Sequence, residues 1–114
     1  MRIGDILNGE RLEVDSGVYL IYAEGVVLYV GKNVQITNRL RHGHKNRNTP
    51  LWQAIQAELP ASLEWDVRVE TVESDDPQLL QYRTRAREAE LIRKHEPPLN
   101  VAYNPAAWAE NKRT

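Results

Sequence analysis

Cysteine is absent from the chain, which excludes a disulfide framework, thiolate catalysis and any cysteine-bound metal. Also missing is an apolar run near the roughly 20 residues that a membrane helix needs. Met1-Arg2-Ile3-Gly4-Asp5 has no signal-peptide core either, so a cytoplasmic protein without membrane contact is expected. Internal repeats and low-complexity tracts are lacking, and 114 residues suit one domain with a modest core. Net charge is only −1, which by itself argues against a strong nucleic-acid binder. One local absence qualifies that. No acidic residue occurs between Gly25 and Ala57, where Lys32, Arg39, Arg41, Lys45 and Arg47 stand. A second basic run, Arg83, Arg85, Arg87, Arg93 and Lys94, outnumbers Glu88 and Glu90. If the two runs share a face they form a positive groove; taken alone, such runs are more often solvated helix faces.

What is present begins with the stretch GVYLIYAEGVVLYVGKNVQITNR, from Gly17 to Arg39. It predicts two apolar strands, Val18–Ala23 and Val26–Val30, around a tight Glu24-Gly25 turn. Strand one is apolar on both faces, as a central strand should be. A helix is predicted from Asn33 to Lys45, with Val34, Thr37, Leu40 and His44 towards the core and Gln35, Asn38, Arg39 and Arg41 off that line. Thr49-Pro50 is a cap followed by a first-turn proline, opening a helix that ends at Leu59. Trp52 on that helix reads as a core anchor. Leu63–Val72 alternates at period two and predicts an edge strand with one wet face. A long helix should then run from Pro77 to His95, with Leu79, Tyr82, Ala86, Ala89 and Leu91 available to the core, before Glu96-Pro97-Pro98 stops it. The expected architecture is α/β (α+β): one compact domain with a small three-stranded central sheet flanked by helices.

Three motifs in order give the chain a family resemblance. Gly17-Val18-Tyr19, nine residues, then Tyr29-Val30-Gly31 resembles the signature of the GIY-YIG nuclease superfamily, with valine in both isoleucine places. Arg39 lies eight residues after Gly31, where the family has its arginine. Glu88-Ala89-Glu90-Leu91-Ile92-Arg93-Lys94-His95-Glu96-Pro97-Pro98-Leu99-Asn100 is similar to the helix segment that the family's metal-binding glutamate opens, most of all in the nuclease module of the nucleotide-excision-repair incision subunit. The resemblance spans residues 17–104, leaving 1–16 as an N-terminal extension and 105–114 as a C-terminal tail.

The resemblance implies a divalent-metal-dependent endonuclease acting on DNA, in a DNA-repair setting, with Mg²⁺ or Mn²⁺ as a single ion. It implies Glu88 as the metal ligand, Tyr19 as the group that activates water, Tyr29 as its assistant and Arg39 as the stabiliser of the transition state. The residue types suit those tasks. A lone carboxylate is normal for Mg²⁺, which keeps most of its waters, and a guanidinium can grip two phosphate oxygens at once. An unperturbed phenol, with a pKa of about 10, needs nearby cations before it can act as a base. Lys32, Arg41, Lys45 and Arg47 are candidate phosphate contacts, and Gly31 and Asn100 are supporting residues. His42 and His44 are both open candidates, since the family's histidine position, four residues after the arginine, is occupied here by Gly43. Without the motifs, each tyrosine would read as a packed strand residue. The competing functions are a non-catalytic nucleic-acid-binding module, a subunit that needs a separate specificity or repair partner, and a small protein-interaction domain.

Overall fold

The structure, a computed structural model, describes residues 1–103. Its frame is an antiparallel sheet in the order β2-β1-β3, formed by β1 (Gly17–Ala23), β2 (Val26–Asn33) and β3 (Asp66–Glu70). The central place falls to the strand whose two faces are both apolar. Tyr19 and Ile21 look one way, into a cluster with Leu28, Ile36, Leu40, Leu51, Ile55 and Trp65. Val18 and Leu20 look the other way, towards Val27, Val30 and Leu91. Glu24 and Gly25 turn the hairpin with φ of 50° and 82°, the left-handed pair that a two-residue turn between twisted strands requires.

Short helices cover the first face: α1 (Ile3–Leu7), α2 (Ile36–Asn38), α3 (His44–Arg47) and α4 (Pro50–Ala57). Residues 1–16, read as an extension, are integral to this layer, because Ile3 and Ile6 are fully buried in its core. The second face is covered by α5 (Pro77–His95), whose bounds coincide with those expected. Both cap-plus-proline signals act as read: the Thr49 hydroxyl accepts from the Trp52 N–H, and the Asp76 carboxylate accepts from the Gln78 N–H. No helix among the described residues is long and apolar enough to cross a membrane.

Four expectations are corrected. The segment from Leu63 does not begin as a strand. Backbone bonds from Ser62 to Glu58, Leu63 to Pro60 and Trp65 to Ser62 close it into a 3-10 turn, Ala61–Glu64, and pairing starts at Asp66. The helix after β2 starts at Ile36 rather than Asn33, because β2 stays paired to Asn33 and Asp15 supplies the cap. Asp15 accepts the Ile36 N–H at its carbonyl and the Thr37 N–H at its carboxylate. Val34 is therefore in the connection and 80% exposed, not in the core. On α5, Tyr82 is 70% exposed and Leu91 alone is buried. Trp52 is half-buried, as an anchor partly open to solvent. The tail from residue 105 lies outside the described residues.

The turn generates a stability prediction. Glu24 holds a left-handed conformation that a side chain of its kind disfavours, whereas asparagine adopts it readily. Glu24→Asn should stabilise the protein by about 0.5–1 kcal/mol, measured by chemical denaturation. A loss of stability would show that Glu24 is fixed by something other than the turn.

Candidate active site at the edge of the sheet

Tyr19 is the largest of the fully buried side chains. Its ring crosses β2 directly over Gly31: a Cβ placed there would lie 2.5 Å from Tyr19 Cζ and 2.6 Å from its hydroxyl. Glycine is thus required at position 31 by close approach. Tyr29, half-buried on the same strand, sets its ring 5.9 Å from that of Tyr19. The backbone between Tyr29 and Gly31 is held from outside by Asn100. Its amide accepts the Val30 N–H at 2.9 Å and donates to the Val30 carbonyl at 2.7 Å, standing in for a neighbouring strand at the open edge of β2.

The third wall is a helical segment that changes its winding. Between α2 and α3, Arg39–Gly43 forms a π turn in which the His44 N–H donates to the Arg39 carbonyl. A π turn takes up one more residue than an α turn. In an α-helix Gly43 would stand one turn beyond Arg39; the wide turn gives that place to His44. The Arg39 side chain folds back over Gly43, where a Cβ would be 2.7 Å from its Cδ. Its guanidinium charge acts on the Tyr19 hydroxyl and has no salt bridge to any carboxylate among the described residues.

His44 is wholly buried, its Nε2 2.8 Å from the Tyr19 hydroxyl and its Nδ1 2.7 Å from Thr49 Oγ1. Both tyrosine rings meet it edge-on, with centroids at 6.4 Å and 5.3 Å. Burial, aided by the Arg39 charge, lowers its pKa to about 3, so the ring is neutral. Burial also pushes the Tyr19 phenol well above its ordinary value, and Arg39 opposes this only in part. The expected phenolate is therefore not favoured by the protein's own field. Tyr29 is raised for the same reason, and the Glu88 carboxylate adds to the rise.

Glu88 comes from α5, the layer on the other face of the sheet from Tyr19, and its charge acts on Tyr29. Burial raises its pKa, while Lys32 and Arg85 pull it down. Among the described residues it has no hydrogen bond and no salt bridge. Such a half-buried, unpartnered carboxylate suits a cation. The described residues contain no group of three or more histidine, cysteine, aspartate or glutamate side chains placed to share a metal. That donor set fits a hard ion bound by one carboxylate, water and substrate oxygens rather than one needing an all-protein cage.

Of the residues singled out in the sequence, Tyr19, Tyr29, Arg39, Gly31 and His44 converge, and Glu88, Lys32 and Asn100 border them. His42 points to solvent, which separates it from His44. Arg41 is committed elsewhere: its Nε donates to the Ile6 carbonyl at 3.1 Å and its Nη2 to the Glu10 carbonyl at 2.9 Å, tying α1 to the π turn. Lys45 is exposed with its ammonium 6.0 Å from the Trp52 ring, and Arg47 is exposed. Thr49 was legible only as a helix cap, yet it also orients His44. The signal for His44 was its place on the Thr37, Leu40 core line.

No family model and no curated protein sequence matches the chain. Solved structures do. The GIY-YIG N-terminal endonuclease domain of UvrC from Thermotoga maritima, bound to magnesium as its catalytic divalent cation, is 29% identical with a TM-score of 0.53, covering 85% of this chain and 92% of that one. Two point mutants of that domain, each with phenylalanine for a tyrosine and each bound to the catalytic divalent cation, are 27% and 28% identical. Both have a TM-score of 0.55 and cover 87% of this chain and 94% of theirs.

The buried histidine should be visible in stability. Unfolded, its pKa is near 6.5; folded, it is about 3, so as pH falls the unfolded chain takes up the proton first. The stability that depends on the neutral ring is whole above about pH 6.5 and is lost towards pH 3, by up to about 1.4 kcal/mol per pH unit. Denaturation of the parent and His44→Gln at several pH values between about 4.5 and 6.5 should show a shallower slope in the variant. Equal slopes would mean that the ring is not held neutral.

Proposed function

The chain has the GIY-YIG nuclease fold, and from that premise we propose that the protein is a divalent-metal-dependent endonuclease that hydrolyses phosphodiester bonds in DNA. The observation that carries this reading is the buried Tyr19 hydroxyl held by His44 Nε2, with the charge of Arg39 acting on both tyrosines, that of Glu88 acting on Tyr29, and neither charge in a salt bridge among the described residues.

Tyr19 and His44 act on the proton. With Nδ1–H donating to Thr49, Nε2 is free to accept from the Tyr19 O–H. Tyr19 takes a proton from the attacking water at its oxygen while passing its own to His44 Nε2, so the phenolate is never formed in isolation. The water oxygen bonds to phosphorus as the bond to the leaving oxygen breaks. Arg39 donates to the non-bridging oxygens as charge moves onto them, and Tyr29 positions the water beside Tyr19. A magnesium ion on Glu88 supplies Lewis-acid stabilisation of the leaving oxygen when bound. Lys32 beside Glu88 contacts phosphate, and Lys45 and Arg47 contribute a general attractive field.

Two substitutions test the assignment. Glu88→Gln keeps size and removes the anionic ligand, so cleavage of labelled DNA in Mg²⁺ should vanish while the fold, followed by circular dichroism, persists. Unchanged cleavage would exclude Glu88 from metal binding. Arg39→Lys keeps the charge and loses the fork, and single-turnover cleavage at saturating enzyme should slow by roughly 10²-fold. Affinity for the same DNA should change little. A harmless Arg39→Lys variant would reduce this helix to a binding surface.

A further inference from the structure

One face of α5 is turned to the sheet, and its character changes midway. At 3.6 residues per turn, Gln81, Thr84, Arg85, Glu88, Leu91 and Ile92 fall on one stripe. Leu91 and Ile92 pack against Val18, Leu20, Val27 and Val30. For two turns before Glu88 the same stripe is polar or charged, where a helix lying on a sheet ordinarily carries aliphatic residues. That half does not close. Between it and the end of β2 lies a groove of about 450 Å³, lined by Lys32, Asn33, Val34, Gln81, Thr84 and Arg85 among others. This is ample for one small ligand moiety.

The groove's chemistry is one-sided. Its lining includes two cations and no acid. Neither Lys32 nor Arg85 forms a salt bridge among the described residues. Arg87, two residues on, differs: it holds Glu70 at 2.6 and 2.9 Å. Arg85 stands one turn before Glu88 on α5, so the groove adjoins the proposed metal ligand. Val34 gives it an exposed apolar wall, with Leu80 opposite.

The geometry points to a subsite for the nucleotide adjacent to the scissile phosphate. Lys32 and Arg85 bind the phosphate of that nucleotide, Val34 and Leu80 lie against its sugar or base, and Asn33 and Gln81 offer amides to its polar edge. The inference rests on the nuclease reading for the identity of the occupant. A strand whose phosphate sits at Glu88 and Arg39 continues into this groove on one side, and the uncompensated charge there meets the next phosphate.

Binding tests this without turnover. A short single-stranded DNA is titrated, without divalent ion, into ¹⁵N-labelled protein, and amide shifts are expected at Gly17, Lys32, Asn33, Thr84 and Arg85. Arg85→Ala should weaken binding about five-fold, the upper end for an exposed ion pair, and flatten the salt slope by about one unit. Arg83→Ala is the control, since Arg83 donates to the Glu73 carbonyl away from the groove, and it should change neither quantity. Parent-like affinity in Arg85→Ala, or shifts confined to other elements, would overturn the subsite. The two readings fail separately. Arg85-dependent binding with no cleavage of any nucleic acid in Mg²⁺ removes the nuclease and keeps the groove. Parent-like cleavage by Arg85→Ala at limiting substrate removes the groove and keeps the nuclease.

Discussion

The buried hydroxyl of Tyr19 is the constraint on which most of this structure depends. A phenol on the central strand of a small sheet loses its water, and an unsatisfied buried hydroxyl costs about 1–3 kcal/mol. Its ring can lie flat across β2 only because Gly31 has no side chain. Its partner, His44 Nε2, can reach it only because the helix widens by one residue at Arg39–Gly43. The imidazole is fixed in turn by Thr49, the residue that starts α4. One polar group thus couples two strands, the π turn and the next helix. Loosening any of them would leave a buried donor or acceptor without its partner.

The same burial sets the electrostatic state of the site. Both tyrosines are held as phenols and His44 as a neutral ring, with Arg39 and Glu88 as the uncompensated charges. Left alone, this arrangement resists ionisation. In the proposed reaction a dication would meet the carboxylate and a phosphate the guanidinium, and the proton would stay on Tyr19 until then. A fold optimised for stability alone would neutralise Glu88 and Arg39 with partners of their own.

Local signals explain what was legible in the sequence. The Glu24-Gly25 turn, the caps at Thr49 and Asp76 and the proline after Glu96 act over a few residues, so the hairpin, α4 and α5 could be placed from them. Tyr19, Tyr29, Arg39 and Glu88 were legible through motif spacing; Tyr19 and Tyr29 pack together with the Arg39 charge acting on both, and the Glu88 charge acts on Tyr29 from the other layer. What escaped was decided at a distance. Asp15 caps a helix from 21 residues upstream of Ile36, which moved the helix start past Val34. The Leu63–Val72 alternation said nothing of the turn that Ser62 closes with Ile55 and Glu58. The choice between His42 and His44 depended on the π turn, for which an arginine followed by a glycine gives no pattern.

The basic residues show how far total charge and its distribution can differ. Lys32, Arg39, Arg41, Lys45 and Arg47 look alike in sequence, but their partners differ. Arg41 is absorbed by two backbone carbonyls, whereas Arg39 and Lys32 are in no salt bridge among the described residues. Every salt bridge among the described residues lies outside the acid-free stretch: Met1 and Arg68 with Asp66, Arg2 with Asp5 and Glu64, Arg11 with Asp15, and Arg87 with Glu70 and Glu90. Six acids among the described residues are thus paired with bases: Asp5, Asp15, Glu64, Asp66, Glu70 and Glu90. A net charge of −1 is the sum of an acid-free stretch with five cations and a remainder in which sixteen acids outnumber ten cations. Lys32 and Arg85 stand together at the end of β2, and an anion approaching there would meet their field rather than the total.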